Sequence, residues 1–278
     1  MIDKTTKQLS TQDYFLTKEA FEIFRTKIPG VLKTDPQPVD LEKYYDTDDY
    51  LSHDDSDGSL FARLYRFARK RNIHSKFKLI SSYSDDGAIL DIGAGNGELV
   101  RYLKEKHLDA QGYEPSAAAR KVAYRKGVDL WDYLPVSKKS HYKVIQMFHV
   151  LEHIPDPEKM ITDLYSMLQE NGILIIALPN YKSWDASFFK TYWAGYDVPR
   201  HLFHFDQKGI ENLIKDHFEL QNTKPMWWDS FYVSILSARY KKLPIPMISG
   251  GFVGLISNLV AMFTSQPSSR IYIFQKRN

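Results

Sequence analysis

A glycine-rich turn is the clearest place for chemistry in this sequence. The residues ILDIGAGNGEL, 89–99, put Gly93, Gly95 and Gly97 after a predicted strand and before a predicted helix. Glycine lets the backbone turn sharply and approach a ligand with no side chain in between, and the start of a helix offers unbonded N–H groups. Because dinucleotide-binding folds use similar turns, the loop alone predicts only a nucleotide-like ligand.

Two acidic residues narrow the choice of ligand. Asp91 comes just before the first glycine, where a carboxylate would repel a pyrophosphate and attract the ammonium of an amino acid. The glycines follow a G-x-G-x-G spacing, and Glu98 stands where the dinucleotide pattern needs a small residue. Glu114 ends the next predicted strand, where it can accept hydrogen bonds from both ribose hydroxyls. A nucleoside with an amino acid tail, such as S-adenosylmethionine, fits this pair of acids.

Alternating apolar runs and helical periods between residues 87 and 180 predict a doubly wound α/β sheet that positions these residues. The predicted strands are 88–91, 110–114, 128–130, 142–148 and 173–178, with helices at 97–107, 116–126 and 156–169. A helix at 207–217 and strands at 218–228 and 270–276 complete a sheet of seven mostly parallel strands.

The regions flanking this pattern are predicted to be helical. Residues 1–80 are expected to form an N-terminal helical cap, with one short helix carrying Phe15, Phe21 and Phe24 and a second from 59 to about 80. The remaining domain, 81–278, would contain a helical insertion at 229–269 before the last strand. Within it, 243–269 carries no charged residue but is interrupted by proline and glycine. A cap over the site or a lipid-facing surface helix is therefore favoured over a membrane span.

Composition bears on partners and compartment. The 37 basic and 34 acidic residues nearly cancel, for a net charge of +3, which gives no electrostatic case for a nucleic-acid partner. Cysteine is absent, and the N-terminal residues lack the apolar core of a secretory signal, so a cytoplasmic location is expected. The acid-rich segment 44–58 lacks the pattern of a calcium loop, and no metal ion is predicted.

Residues 87–180 as a whole resemble the class I S-adenosylmethionine-dependent methyltransferases, in particular the small-molecule group that includes ubiquinone-type O-methyltransferases. The matching pieces are ILDIGAGNG (89–97), GYEPS (112–116), QMFHVLEHIPDP (146–157) and LQENGILIIALPN (168–180). The resemblance implies a Rossmann-like fold with S-adenosylmethionine as cofactor. It implies contacts to the methionine part from Asp91, Gly93, Ala94 and Gly95, to the ribose from Glu114, to the adenine from Pro115, Leu130, Trp131 and Asp132, and near the sulfonium from Phe148 and His149.

Histidines provide the candidate chemistry on the acceptor side. His149 and His153 follow the fourth strand of the sheet, at the edge where open α/β sheets bind ligands. The segment DVPRHLFHF, 197–205, contains two more, and the resemblance places a similar patch beside the acceptor pocket. A hydroxyl acceptor needs a base, for which histidine is suited. The catalytic candidates are His201 and His153, and the substrate candidates are Trp193, Arg200 and His204.

Purely structural roles remain open for several of these residues. Arg200 could lock its loop through a carboxylate, His153 could bond a loop carbonyl, and His204 could merely pack. The aromatic residues between 184 and 193 could form an apolar acceptor slot or only a wall beneath the sheet.

The function predicted from the sequence is methyl transfer to a small-molecule, lipid-like or sugar-like acceptor at a hydroxyl oxygen, with peripheral membrane contact as a further expectation. Two alternatives are a nicotinamide-dependent oxidoreductase using the same loop and Glu114, and a non-catalytic cofactor-binding protein. Nucleic-acid methylation is disfavoured, because the chain lacks a cysteine nucleophile and the Asn-Pro-Pro-Tyr type of motif after the fourth strand.

Overall fold

The computed structural model describes residues 2–38, 40, 42–44, 60–84 and 87–277, so the acid-rich segment beyond Tyr44 lies outside the described residues. The strands are β1 (Ile2–Gln12), β2 (Ala20–Thr26), β3 (Val31–Asp35), β4 (Ile89–Ile92), β5 (Ala110–Tyr113), β6 (Tyr142–Phe148), β7 (Leu168–Pro179), β8 (Phe203–Phe205), β9 (Phe218–Pro225) and β10 (Ser269–Lys276). The helices are α1 (Leu60–Ser84), α2 (Glu98–Glu105), α3 (Ala117–Arg125), α4 (Pro157–Met167), α5 (Trp184–Phe189), α6 (Gln207–Ile214), α7 (Asp229–Tyr240) and α8 (Pro246–Thr264). Short 3-10 turns lie at Glu42–Tyr44, Leu151–His153, Lys190–Tyr192 and Ala194–Tyr196.

The main sheet has the strand order β5-β4-β6-β7-β10-β9. Its first four strands are parallel, and β10 runs antiparallel between β7 and β9. This arrangement confirms the predicted α/β fold. The strand predicted at 128–130 is reduced to a single parallel bridge between Tyr113 and Trp131, so the sheet has six strands and not seven. The charged Asp129 interrupts the apolar residues Val128, Leu130 and Trp131, and Pro135, which cannot donate to a ladder, follows soon after.

Apolar cores cover both faces of this sheet. One face packs under α4 and α6 through residues such as Leu164 and Ile210, and the other packs under α1 and α2 through residues such as Ile80 and Leu103. Buried parallel strands are expected to be continuously apolar, as the fully buried run Leu174–Ala177 in β7 shows. The sheet thus holds the carboxyl ends of β4, β5 and β6 in fixed register.

The N-terminal region forms most of a second sheet. The prediction of a short helix around Phe15–Phe24 is therefore wrong. Strands β1, β2, β3 and β8 form an antiparallel sheet in that order. In β2, Phe21 and Ile23 are buried at alternate positions, which is the period of a strand. Pro29 and Gly30 lie in the turn between β2 and β3, with Gly30 at φ 89°. The second predicted helix of this region exists as α1.

The predicted insertion at 229–269 consists of α7 and α8 packed against each other. Two glycines of α8 make this contact close: a Cβ on Gly250 would lie 2.4 Å from Ile235 Cα, and one on Gly254 would lie 2.9 Å from Phe231 Cα. Within the described residues, α8 is the one helix long and apolar enough to cross a membrane by length and composition.

Candidate active site

The loop after β4 has the open backbone that the sequence predicts. Gly93, Gly95 and Gly97 all have positive φ, at 69°, 54° and 72°, a region that favours glycine. A Cβ on Gly93 would lie 2.4 Å from Val150 Cγ2, whereas no heavy atom lies within 4 Å of a Cβ built on Gly95. The backbone at Gly95 therefore borders open space and can meet a ligand directly.

Glu114 is joined to this loop by hydrogen bonds. Its Oε2 accepts the Gly95 N–H at 2.8 Å and its Oε1 accepts the Ser116 N–H at 2.9 Å. Ser116 in turn caps α3 by accepting the Ala119 N–H. The carboxylate of Glu114 is buried, and its charge adds to the larger effect of burial in raising the pKa of Asp91. The structure thus brings together the two acids predicted to bind the ends of the cofactor.

Asp91 is buried, and a buried carboxylate favours a cationic partner. Burial raises the pKa of Asp91 to about 7, although the ammonium of Lys76 opposes this shift. Lys76 reaches in from α1, with Nζ 4.1 Å from the centroid of the Phe148 ring. Burial lowers the pKa of Lys76, and the charges of Asp91, Asp229 and Glu98 oppose that change. The position therefore favours a positive charge next to Asp91, which the ammonium of Lys76 supplies in this structure; the amino acid end of S-adenosylmethionine carries the same kind of group.

The pH dependence of cofactor binding follows from Asp91. Its raised pKa means that the carboxylate is mostly protonated below pH 7 and charged above it, so its attraction for an ammonium is lost as the pH falls. The affinity for S-adenosylhomocysteine is expected to decrease as the pH falls from 7.5 to 5.5, by up to about tenfold per unit. Isothermal titration over this range checks the effect. Asp91→Asn should bind more weakly with a flat pH profile, and a flat profile in the unmodified protein would contradict the role of Asp91.

The residues predicted to meet the adenine lie beside Glu114. The Trp131 N–H donates to Gly112 O and the Glu114 N–H donates to Trp131 O, both at 2.9 Å. Leu130 is buried over Gly112, and Pro115 is exposed. The side chain of Asp132 is 67% exposed, with an oxygen 3.9 Å from Arg120 Nη2. Contact of these four residues with the adenine stays a prediction. It is least supported for Asp132, because that side chain is mostly exposed to solvent.

His149 is held between two carboxylates at the end of β6. Its Nε2 lies 3.0 Å from Asp229 Oδ2 and its Nδ1 lies 3.4 Å from Glu152 Oε1. Burial alone would lower the pKa of His149, but these two acids outweigh burial and raise it to about 10. His149 is therefore an imidazolium at neutral pH. Contact of Phe148 and His149 with the cofactor near its sulfonium stays a prediction.

His153 and His201, the predicted catalytic pair, lie side by side. Their ring centroids are 4.7 Å apart with the planes at 80°. His153 Nδ1 bonds the main-chain oxygen of Arg200, and His201 Nδ1 bonds that of Gly195, both at 3.0 Å. Burial, and then the charge of His153, lower the pKa of His201 to about 4, so His201 is neutral at physiological pH.

The contacts of Arg200 match the loop-locking alternative more closely than substrate contact. It forms a two-point ion pair with Asp197 and a further pair with Asp13 at 3.1 Å, and its Nη1 donates to Tyr44 O at 2.9 Å. Each nitrogen of the buried guanidinium therefore has a protein partner. Arg200 ties the acceptor-side loop to the turn between β1 and β2.

The other two substrate candidates, Trp193 and His204, also have structural partners. Trp193 is buried and donates its indole N–H to Asp185 at 2.8 Å. His204 Nε2 lies 3.0 Å from Thr34 Oγ1, and burial lowers the pKa of His204 to about 3. Both line a small cavity of about 10 Å³ together with His201 and Glu152, which has room for a single water and not for a substrate. Phe189 and Trp193 belong to the core beneath the N-terminal sheet, so these aromatics act mainly as packing.

Glu152 is the main residue of this site that the sequence analysis did not single out. It is 1% exposed, and neither of its carboxylate oxygens makes a hydrogen bond within the described residues. One ligand atom each from Glu152, His153 and His201 lies within 4.8 Å of the others. Such a set of one carboxylate and two imidazoles could hold a divalent transition metal, although no metal ion was predicted. The HVLEH motif contained this signal, since Glu152 lies between the strand and His153.

Asp229 and Lys76 were also not singled out from the sequence. Asp229 begins α7, eighty positions after the histidine that it bonds, and Lys76 lies on the helix that precedes the glycine loop. Neither has a local motif, so only the fold reveals them.

Known proteins share this combination of fold and loop. A family described as a methyltransferase domain matches residues 61–223, more than half of the chain. The ubiquinone biosynthesis O-methyltransferase of Yersinia enterocolitica is 30% identical over 112 residues, which are 36% of this chain and 46% of that protein. The protein of the same name from Yersinia pestis is 28% identical over 109 residues, or 34% and 45% of the two chains. The chain thus spans about half the length of the curated relatives it matches.

Solved structures agree in fold. The magnesium protoporphyrin IX methyltransferase of Synechocystis PCC 6803, with bound S-adenosylhomocysteine, has a TM-score of 0.53 and 14% identity, over 81% of this chain and 91% of that one. Phosphoethanolamine N-methyltransferase 2 of Haemonchus contortus, in complex with S-adenosylmethionine, has a TM-score of 0.50 and 17% identity, over 73% and 53% of the two chains. At these identities the likeness shows the fold alone.

The chain belongs to the methyltransferase domain family. Its sheet and its glycine loop are those of a class I S-adenosylmethionine-dependent methyltransferase, and S-adenosylmethionine is the cofactor of this class. The family assignment favours a methyltransferase over the nicotinamide-dependent alternative.

Proposed function

We propose that this protein transfers the methyl group of S-adenosylmethionine to a hydroxyl oxygen of a small, largely apolar acceptor. The observation that carries the proposal is the cluster of His153, His201 and the buried Glu152 beside His149, which follows the end of β6. The curated relatives that match the chain are named O-methyltransferases of ubiquinone biosynthesis, in accord with transfer to oxygen. We further propose a cytoplasmic location, because the cofactor is present there and a chain without cysteine needs no oxidising compartment.

Binding of the cofactor is assigned to the two acids and the glycine loop. Asp91 would attract the ammonium, Glu114 would accept the ribose hydroxyls, and the exposed backbone at Gly95 would lie against the ligand. When bound, the cofactor supplies an electrophilic methyl group on a sulfonium. Methyl transfer is an in-line displacement, so the main tasks of the protein are to align the acceptor oxygen with that methyl and to exclude water.

The pKa values of His149 and His201 support the choice of a third histidine as the base. His149 already holds its proton at neutral pH, because its pKa is about 10. His201 has a pKa of about 4 and therefore resists taking up a proton. His153 is the remaining candidate and is only half-buried, so an acceptor can reach it. We assign the removal of the hydroxyl proton to His153, while the neutral ring of His201 packs against it and fixes its position.

An apolar acceptor is favoured by the surface next to the site. Asp229, which bonds His149, is the first residue of α7, and it directly follows the exposed Trp227 and Trp228. An acceptor with an apolar body can contact these indoles while its hydroxyl group points towards the histidines. The buried aromatics at 184–193 no longer support an apolar slot, because they pack in the core.

A screen of acceptors tests the proposal. The full-length protein is incubated with methyl-labelled S-adenosylmethionine and with matched sets of apolar phenols and quinols, sugars and small amines, and the products are analysed by mass spectrometry. Transfer to the oxygen of an apolar hydroxyl compound is expected. Transfer only to nitrogen or to a sugar would overturn the acceptor assignment. Tight binding of S-adenosylhomocysteine with no transfer to any acceptor would support the non-catalytic alternative.

A further inference from the structure

Helix α8 has its large apolar side chains on the outside. Five residues on its exposed face, at helical spacing, are Ile248, Phe252, Leu255, Leu259 and Met262, with exposures from 46% to 68%. The residues that α8 buries are Gly250, Val253, Gly254, Ser257 and Ala261, and all of them except Val253 are small. A surface helix of a soluble protein normally shows the reverse pattern, with large apolar residues facing the core. The outer face of α8 therefore has the composition of a surface in contact with another apolar medium.

The packing between α7 and α8 points to the nature of that medium. Gly250 and Gly254 lie four positions apart and bring α8 close to the backbone of α7. Ser230 and Ser234 of α7 lie opposite these glycines, with their main-chain oxygens 2.9 and 2.7 Å from the Cβ positions of Gly254 and Gly250, and both serines are buried. Helix pairs held together by glycine and serine are typical of membranes, because lipid is as apolar as leucine and close backbone contact provides the attraction. A protein partner would not require the interior of the hairpin to be depleted of large apolar residues.

The charged residues near the hairpin also favour a lipid surface over a protein partner. Asp229 is the last acidic residue of the chain, and the six charged residues after it are all basic: Arg239, Lys241, Lys242, Arg270, Lys276 and Arg277. Three of these basic residues lie at the connection between α7 and α8. Anionic lipid headgroups attract such a cluster. Trp227, Trp228 and Tyr232, at and before the start of α7, are exposed, and the main-chain oxygen of Trp227 accepts a hydrogen bond from Asn258 of α8. Tryptophan and tyrosine are enriched at the level of the headgroups.

The inner side of α8 indicates a helix that lies on the membrane and does not cross it. Ser257 Oγ donates to the buried Asp185 at 2.7 Å, and Asn258 Nδ2 donates to Trp227 O at 2.9 Å. These bonds attach one side of the helix to the domain along its middle. A helix with one side fixed to a folded domain and the other side apolar lies in the plane of the interface.

We propose that the outer face of the α7–α8 hairpin docks onto a lipid bilayer that contains anionic headgroups. The face consists of the five exposed residues of α8 together with Trp227, Trp228 and Tyr232, and its basic edge consists of Arg239, Lys241 and Lys242. This inference uses none of the proposed catalytic histidines, but it shares Trp227 and Trp228 with the acceptor contact proposed above, so its test measures membrane binding and not turnover.

Co-sedimentation with vesicles tests this docking. The full-length protein is mixed with vesicles of phosphatidylcholine with or without phosphatidylglycerol, at low and high salt. Binding to the anionic vesicles and weakening by salt are expected. The double substitution Phe252→Ser and Leu259→Ser should lower the partition coefficient roughly tenfold or more, and Lys241→Gln with Lys242→Gln should lower it on anionic vesicles only. Tyr124→Ser, which removes an exposed aromatic on α3, is the matched control and should bind like the unmodified protein.

Three results would overturn the proposal. The first is no vesicle binding by a protein that binds S-adenosylhomocysteine normally, which shows that it is folded. The second is a dimer in sedimentation velocity that the serine substitutions dissociate, because the face would then cover a second copy of the chain. The third is resistance to extraction from vesicles by alkaline carbonate, because α8 would then be inserted across the bilayer. The cofactor affinity of each variant serves as the control for folding.

Discussion

Replacing Glu114 with alanine is expected to weaken the binding of S-adenosylhomocysteine by roughly a hundredfold. A hydrogen bond to a charged group contributes about 1.5–3 kcal/mol, and two ribose hydroxyls are proposed to share this carboxylate. The carboxylate also accepts the backbone N–H groups of Gly95 and Ser116. Its removal therefore leaves two donors unbonded and loosens the glycine loop, which adds to the loss. Isothermal titration with S-adenosylhomocysteine measures the change directly.

Two further variants separate these contributions. Glu114→Gln keeps one side-chain oxygen and the volume, so it should bind S-adenosylhomocysteine with an affinity between those of the alanine variant and the unmodified protein. Glu170→Ala removes an exposed acid far along the chain and should leave the affinity unchanged. If Glu114→Ala is folded, as shown by unaltered circular dichroism, and still binds S-adenosylhomocysteine with unaltered affinity, the proposed contact between Glu114 and the ribose is contradicted.

The cofactor side of the site could be predicted from the sequence because its determinants are local. Asp91 and the three glycines lie within seven residues, and Glu114 follows the next strand of the same βαβ unit. Parallel strands in adjacent positions carry their ends to one edge, so the short motif determines the geometry. The hydrogen bond from Gly95 to Glu114 is the direct result. The run of β7, which is apolar at every central position, was similarly sufficient to predict a buried strand.

The acceptor side could not be predicted to the same extent, because its contacts connect distant segments. His204 looks like a substrate contact until β3 pairs with β8 and brings Thr34 against it. Arg200 looks free to bind a ligand until the turn that follows β1 supplies Asp13. Both contacts depend on the N-terminal sheet, which was predicted as a helix because Phe15, Phe21 and Phe24 also fit a helical period. The burial of alternate residues in β2 decides between the two periods, and burial depends on tertiary structure.

Replacing His153 with alanine is expected to lower kcat by a factor of about 10²–10⁴, the usual contribution of a general base, while the affinity for S-adenosylhomocysteine stays the same. The reason is that His153 is placed on the acceptor side, whereas the cofactor residues lie at the ends of β4 and β5. Turnover with the best apolar hydroxyl acceptor and isothermal titration give the two measurements. His141→Gln, which alters an exposed histidine before β6, is the matched control and should retain full turnover.

Comparison with His201 decides whether His153 acts as the base or only supports the fold. His201→Gln removes the neighbouring ring, and we expect a smaller loss in kcat, because a histidine with a pKa of about 4 is a poor proton acceptor. A larger loss in the His201 variant would transfer the role of base to His201. If both variants retained full turnover, the acceptor would need no base, and a carbanion or an amine would replace the hydroxyl in the proposed reaction. A small-molecule base such as imidazole should restore part of the rate to His153→Ala, which a merely structural role would not allow.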